Sequence, residues 1–178
     1  WAKGRLFVAV LYLFLATAFF SMWMSNTATA AMMIPLSMTI LSQLDRAREH
    51  NTYVFVLLGI AYSATIGGMG TLVGSPPNAI VASQLHLNFA DWLKYGFPVM
   101  LLLFPIIIGW LYLIFKPKLN LRFDAEFCKV KLNNKRILTL IIFVSVAFLW
   151  IFGSYINSII SHYLGLPDQI GSFDSMVA

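Results

Sequence analysis

Charged side chains are scarce in this 178-residue sequence: Asp, Glu, Lys and Arg make up only 11% of it, whereas soluble domains carry about 25%. Hydrophobic residues account for 60%, and the mean hydropathy is +0.80. These values exclude an ordinary soluble domain and predict an all-α integral membrane protein that contacts the lipid bilayer. The net charge of +5 implies no nucleic-acid partner, because the basic residues lie in short loops, as membrane topology favours.

Catalytic and redox motifs are also missing. The single cysteine, Cys128, excludes an internal disulfide and is interpreted as a free thiol without a catalytic role. No Ser-His-Asp, H-E-x-x-H or C-x-x-C arrangement occurs, so the sequence does not predict an enzyme. The first three apolar segments contain no Asp or Glu at depth, which disfavours a carboxylate proton relay. They contain no deeply placed Lys or Arg either, so an anion would have to bind neutral donors and helix ends, with a co-bound Na⁺ as a source of positive charge.

Four apolar segments alternate with polar ones, and a spanning helix needs about 20 residues. The third and fourth segments each fit one crossing. The second is too long for one crossing and too short for two, and it is interrupted at 74–78, where two prolines disfavour helix. The predicted divisions are an apolar hairpin at 1–44, a broken transmembrane helix at 53–85, transmembrane helices at 92–115 and 137–163, a basic cytoplasmic loop at 116–136, and a polar extracytoplasmic segment at 164–178.

Positive charges indicate how the first segment enters the membrane. The basic loop 116–136 is predicted to be cytoplasmic, and counting back places both ends of segment 1–44 in the cytoplasm. Two full crossings need about 40 residues and a turn, whereas only about 36 apolar residues are available. The sequence therefore predicts a re-entrant hairpin that turns near its middle. One long tilted helix with a reversed local topology is the alternative.

A polar triplet, Ser25-Asn26-Thr27, lies at the predicted turn of this hairpin. A turn at membrane depth presents helix N–H groups, which suit anions, and carbonyl oxygens, which suit cations. Discontinuous helices form many transporter sites in this way. Any residue of the triplet could cap the second half-helix. The alternative is that these polar groups only hold neighbouring helices together.

A second polar stretch runs from Gly67 to Asn78 and is rich in glycine and proline. Gly70 and Gly74 have the G-x-x-x-G spacing that is typical of close helix packing. The Ser-Pro-Pro-Asn sequence at 75–78 predicts an unwound segment with exposed carbonyls around residues 73–75. A broken span beside a polar turn would form an oxygen-lined cation site. The spacing matches no phosphate-binding loop.

These two stretches carry a family resemblance. Residues Met22–Met33 resemble the first Ser-Asn-Thr signature of the divalent anion:sodium symporter family, and Gly67–Asn78 resembles that family's unwound fifth transmembrane helix. The most similar members are bacterial INDY-type dicarboxylate transporters. The resemblance implies Na⁺-coupled symport of a small dicarboxylate such as succinate. It also implies an elevator-type protein with inverted repeats, present as a homodimer, multi-pass in the inner membrane of a bacterium.

The same resemblance implies site residues. Ser21, Ser25 and Asn26, with the backbone carbonyl of Gly74, would line a Na⁺ site. Ser25, Asn26 and Thr27 would also face a substrate carboxylate. The hairpin, the broken helix and the helix at 92–115 would belong to the moving transport domain, and the helix at 137–163 to the stationary scaffold domain.

One departure from the family pattern is that Ser-Asn-Thr occurs only once, with no internal repeat. Because the sequence also begins with Trp1 rather than Met, we expect a fragment of the N-terminal half of a longer protein, unable to transport alone. The alternatives are transport of sulfate or a tricarboxylate, and Na⁺-independent anion exchange on the same scaffold. A non-transporting membrane subunit is the alternative from another class.

Overall fold

The computed structural model describes residues 6–120 and several helical positions between residues 137 and 152. These residues form helices joined by turns and contain no strand, which confirms the all-α prediction for this part of the chain. Cys128, residues 121–136 of the basic loop and residues 153–178 lie outside the described residues. The helices of the continuous part are α1 (Leu6–Ser21), α2 (Asn26–Leu41), α3 (His50–Met69), α4 (Pro76–Gln84) and α5 (Phe89–Phe115).

The first apolar segment is folded into two helices. α1 and α2 have 16 residues each, are joined by residues 22–25 and contact each other. One long helix, the alternative considered for this segment, is therefore wrong. At 1.5 Å per residue each helix is about 24 Å long, less than the roughly 30 Å of a bilayer's hydrocarbon core. Entry of the hairpin from the cytoplasm stays a prediction.

The second apolar segment is broken, and the break begins earlier than its prolines suggest. α3 ends at Met69 and α4 begins at Pro76, so residues 70–75 separate the two helices. Glycines at the end of α3 weaken the helix, and Pro76 occupies the first helical position of α4, where its missing N–H has no cost.

Two helices are long and apolar enough to cross a membrane among the described residues, α3 and α5. They differ in their surroundings. Most of α3 is buried against α1, α2 and α5, whereas α5 leaves most of its surface exposed. The large exposed apolar side chains of α5 include Leu101, Leu102, Ile106, Trp110 and Leu113.

Contacts at the helix ends fix the directions of the helices. The Phe7 N–H donates to the Leu119 carbonyl at 3.2 Å, and the Lys118 N–H donates to Thr52 Oγ1 at 3.1 Å. The starts of α1 and α3 and the end of α5 therefore lie together. The hairpin turn at 22–25 and the break at 70–75 meet at the opposite end of α1 and α3, where their polar groups are close to one another.

The core lies among α1, α2 and α3, and small residues allow close helix approach. A Cβ added at Gly67 of α3 would lie 2.6 Å from Ala18 Cα in α1, and one added at Gly59 would overlap the ring of Phe14. Packing through small residues is the usual arrangement for helices in lipid. The buried core residues include Leu6, Val10, Phe14, Met33, Leu41, Val56 and Ile60.

We expect Gly67→Ala to lower the free energy of unfolding by about 1–3 kcal/mol. The opposing atoms belong to the backbone of Ala18, so the two helices must separate. Gly109→Ala is the matched control, because a Cβ at Gly109 meets nothing within 4 Å. The measurement is thermal unfolding of the purified full-length protein in detergent. Equal melting temperatures for the two variants would contradict this packing.

Candidate functional site

The hairpin turn places a helix cap at the polar triplet. Ser25 has an extended backbone, with φ −61° and ψ 145°, and is the N-cap of α2. Its Oγ accepts a hydrogen bond from the Ala28 N–H at 3.3 Å, which satisfies one of the free donors at the helix start. Ser25 and Thr27 are exposed, whereas Asn26 between them is half-buried.

Ser21 connects this turn to α3. Its side chain is fully buried, and its Oγ lies 2.8 Å from Asn26 Oδ1 and 2.6 Å from the Ala64 carbonyl oxygen. A hydroxyl has one proton to donate, so the two oxygens share it. The last residue of α1, the first residue of α2 and the middle of α3 are thereby held together.

The break in the second segment lies directly against these residues. A Cβ added at Gly68 would overlap Asn26 Oδ1 and would lie 3.0 Å from the Gly74 carbonyl oxygen. One added at Gly74 would lie 2.6 Å from the Gly68 carbonyl oxygen and 2.8 Å from that of Ser21. The structure therefore brings together Ser21, Asn26 and Gly74, three of the four residues expected at a Na⁺ site. The Ser25 hydroxyl instead accepts from its own helix.

The oxygens that meet here are all uncharged. They come from a hydroxyl, a side-chain amide and backbone carbonyls at the ends of interrupted helices. Oxygens of this kind, supplied by unwound backbone and half-helix ends, are those that hold Na⁺ at the midplane of transporters.

Two helix N-termini begin next to the same oxygens. α2 starts at Asn26, and α4 starts at Pro76, two residues after Gly74. Each carries partial positive charge. Free N–H groups belong to α2, since the first two residues of α4 are prolines. Ser75, the N-cap of α4, makes no side-chain cap hydrogen bond, and it is partly exposed. The structure thus places uncharged oxygens beside the positive ends of two helices, and within residues 6–120 no Lys or Arg side chain takes part in these contacts.

Sequence reasoning missed several residues that build this site. Gly68, Thr71, Ser75 and Asn78 were treated as parts of one glycine- and proline-rich run. The signal that could have found Asn78 is its position in the first turn of a helix that follows two prolines, where a side-chain amide can reach back to the preceding helix end. Ser75 has a similar signal, as a polar residue directly before Pro at a helix start.

The G-x-x-x-G interpretation of Gly70 and Gly74 is wrong for this pair. α3 ends at Met69, so the two glycines do not lie on one helix face. The glycines in close helix contact include Gly59 and Gly67. At position 74 a glycine is required for another reason, because its backbone lies close to the backbones of Gly68 and Ser21.

Comparison of the sequence with known proteins shows what the chain is similar to. The sequence profile described as "Citrate transporter" matches residues 1–170. An uncharacterized transporter of Haemophilus influenzae is 68% identical over 177 residues, which cover 99% of this chain and 38% of that protein. An uncharacterized transporter of Methanocaldococcus jannaschii is 39% identical over 170 residues, covering 93% and 36%.

A relative with a described activity is more distant. The sodium-dependent dicarboxylate transporter SdcS of Staphylococcus saprophyticus is 32% identical over 174 residues, which cover 84% of this chain and 33% of that protein. The chain thus spans between 33% and 38% of the length of these three relatives.

Proposed function

The chain belongs to the citrate transporter family, whose members are integral membrane transporters, and from that premise we propose that it supplies one half of the binding site of a Na⁺-coupled carboxylate symporter. The substrate class is a small dicarboxylate such as succinate. Membership of a transporter family supports transport rather than enzymatic activity. The observation that carries the proposal is the meeting of the Ser21, Asn26 and Gly74 oxygens beside two helix N-termini.

In the proposed site Na⁺ binds Ser21 Oγ, Asn26 Oδ1 and the Gly74 carbonyl oxygen. Ser25, the fourth residue of the expected set, would contribute after rotation of its exposed side chain. A substrate carboxylate binds the start of α2, at Ser25, Asn26 and Thr27. Hydroxyl and amide donors and helix N–H groups are suited to that task.

Coupling follows from charge. Among the residues that the structure describes, no Lys or Arg side chain takes part in the contacts of this site, so a bound Na⁺ supplies its main positive charge. Two opposite unit charges 4 Å apart attract by about 4 kcal/mol at an effective dielectric constant of 20. Binding of the cation therefore favours binding of the anion, and by reciprocity the anion favours the cation.

The family resemblance of the two polar stretches also supports a proposal for the rest of the transporter. The hairpin, the broken helix and α5 contact one another and are proposed to move as one transport domain. The helix at 137–163 belongs to the stationary scaffold. We propose that the complete protein is a homodimer in the bacterial inner membrane and that the second half-site comes from another part of it.

Citrate, a tricarboxylate, is an alternative substrate for the same site. The family is described by citrate, whereas the Staphylococcus relative is described by dicarboxylate. Both kinds of molecule present a carboxylate to the same helix ends, and the difference lies in how many carboxylates the complete site accommodates.

Uptake of radiolabelled succinate into proteoliposomes tests the function. With the full-length protein, we expect an inward Na⁺ gradient to raise the initial rate at least about tenfold, the effect of ~1.4 kcal/mol of coupling. An equal K⁺ gradient is the control, and counterflow with citrate and sulfate ranks the substrates.

Each outcome of that experiment has a separate meaning. Equal uptake in Na⁺ and K⁺ would contradict the coupling and leave the anion site in place. Absence of uptake and counterflow for succinate and citrate would contradict the substrate class.

A further inference from the structure

We propose that Thr71 and Asn78 are positioning residues that hold the Gly74 carbonyl beside Asn26 and so set the Na⁺ affinity of the site. The inference rests on the proposed function, because it concerns the same cation site. Neither residue is proposed to touch the cation or the substrate. Each acts through the backbone of the break between α3 and α4.

Asn78 ties the start of α4 to the end of α3. Its side chain is buried, and its Nδ2 donates to the Gly68 carbonyl at 2.7 Å and to the Thr71 carbonyl at 2.8 Å. The last carbonyls of a helix have no partner within the helix. Asn78 therefore caps α3 from the following helix and fixes Gly68, whose Cα lies between Asn26 and Gly74.

Thr71 ties the break to the hairpin turn. Its hydroxyl is fully buried, donates to the Met22 carbonyl and accepts from the Gly74 N–H at 3.2 Å. One side chain thus connects the backbone of the turn after α1 with the backbone of the residue whose carbonyl faces the site. Removing it would leave two buried backbone groups unpaired, which is costly.

The break depends on these contacts because its own backbone cannot form helical bonds. Pro76 and Pro77 have no N–H, so the carbonyls of Leu72 and Val73 lose the donors four residues ahead. The Asn78 N–H bonds to the Ser75 carbonyl at 3.0 Å, and within residues 6–120 no hydrogen bond to the Gly74 carbonyl is found. The Gly74 carbonyl stays available for a cation only while the surrounding loop is held.

The assembled site needs oxygens from both elements. Ser21 and Asn26 come from the hairpin, and Gly74 comes from the break. A link between the two elements therefore changes how well their oxygens are prearranged for Na⁺, since binding to a loose site has to pay for ordering it.

Position 71 offers a test that separates the hydroxyl from its packing. Thr71→Ser keeps the hydroxyl and removes a methyl group, whereas Thr71→Val keeps the shape and removes the hydroxyl. We expect the Na⁺ concentration for half-maximal succinate uptake to stay within about twofold in Thr71→Ser and to rise about tenfold in Thr71→Val. A packing role predicts the opposite order, and that order would overturn the proposal.

Asn78→Ala is the second variant, with Ser83→Ala as its control. Ser83 lies on the same helix, and its Oγ donates to the Ile80 carbonyl at 2.7 Å, away from the break. We expect the Na⁺ concentration for half-maximal uptake to rise severalfold in Asn78→Ala and to stay unchanged in Ser83→Ala. The maximal rates at saturating Na⁺ should be similar. Failure of both Thr71→Val and Asn78→Ala to yield folded protein would overturn the proposal, because it would assign them to folding.

Uptake by the unsubstituted protein distinguishes a failure of this inference from a failure of the proposed function. If its uptake does not depend on Na⁺, the proposed coupling fails. If its uptake depends on Na⁺ and the variants share its Na⁺ requirement, only the positioning role fails.

Discussion

Gly68→Ala is expected to abolish most Na⁺-stimulated uptake while leaving the protein folded. A Cβ at this position would overlap Asn26 Oδ1 and would lie 3.1 Å from Asn26 Cγ. The Asn26 side chain would have to move, which breaks its 2.8 Å contact with Ser21 Oγ. We expect at least a roughly tenfold loss of uptake at a fixed Na⁺ concentration, equivalent to ~1.4 kcal/mol of lost binding free energy.

The helix propensity of alanine favours folding of α3, so a loss of uptake in Gly68→Ala would not be explained by unfolding of that helix. Alanine is favoured over glycine within a helix by up to about 1 kcal/mol, so Gly68→Ala has no intrinsic tendency to unfold α3. The nearest obstructing atom, Asn26 Oδ1, is the end of a half-buried side chain, and the Gly74 carbonyl oxygen at 3.0 Å would have to shift only slightly. Gly67→Ala, one residue earlier, meets the Ala18 backbone and should show the reverse pattern, lower stability with a smaller change in Na⁺ requirement.

Gly109→Ala in α5 is the control for both variants. Its Cβ meets no atom within 4 Å, so uptake should match that of the unsubstituted protein, and stability should be equal or higher by up to about 1 kcal/mol. The measurements are initial succinate uptake as a function of Na⁺ and the melting temperature of the same preparations. Normal Na⁺ dependence in Gly68→Ala would show that Asn26 and Gly74 do not share a cation.

The hairpin could be predicted from sequence because two simple constraints act on it. An uncharged run of about 36 residues is too short for two crossings, and a polar triplet in its middle gives the turn a cap. The structure has a turn there, with Ser25 as the N-cap of α2. Cytoplasmic entry and the elevator movement depend on the membrane and on the rest of the protein, and they stay predictions.

The contacts inside the site could not be predicted in the same way. Thr71 reaches Met22 across 49 positions of sequence, and Asn78 reaches back to Gly68. No periodicity links residues at these separations, because both contacts form only after the break has folded against the hairpin. The end of α3 at Met69 was also not predicted. Prolines marked the start of the next helix, while the glycines before them determined where the first one stopped.

Ser25 has a local hydrogen bond in the structure that differs from the contact the resemblance implied. The resemblance implied that its hydroxyl lines the Na⁺ site, whereas in the structure the hydroxyl accepts from the Ala28 N–H. A serine at a helix start has a local partner within three residues, and a local hydrogen bond competes with a longer-range ligand role. Since the side chain is exposed, rotation to a ligand would break only one 3.3 Å hydrogen bond.

Asn26→Ala is expected to remove Na⁺-dependent uptake with little loss of stability. The substitution deletes an oxygen from the proposed cation site and an amide from the start of α2. It does not orphan a buried donor, because Ser21 Oγ keeps its 2.6 Å hydrogen bond to the Ala64 carbonyl. The cap of α2 is also unchanged, since Ser25 supplies it. We therefore expect a stability change of about 1 kcal/mol or less.

Asn88→Ala provides the matched control on another helix. Asn88 is the N-cap of α5, and its Oδ1 accepts from the Asp91 N–H at 2.8 Å. Loss of such a cap costs about 1 kcal/mol, so this variant should be at least as destabilised as Asn26→Ala and should still transport. The two asparagine variants then separate binding from folding, by expression level, melting temperature and Na⁺-dependent uptake measured together.

The same pair decides between a transporter and a membrane subunit that uses its polar triplet only for helix packing. A packing role requires Asn26→Ala to lose expression or stability more than Asn88→Ala does, with any loss of uptake in proportion. A site role requires folded, well-expressed Asn26→Ala protein whose succinate uptake no longer responds to Na⁺. Since the Ser21 hydroxyl keeps a second acceptor, the structure favours the site role: the Asn26 amide can be removed without leaving the turn unpaired.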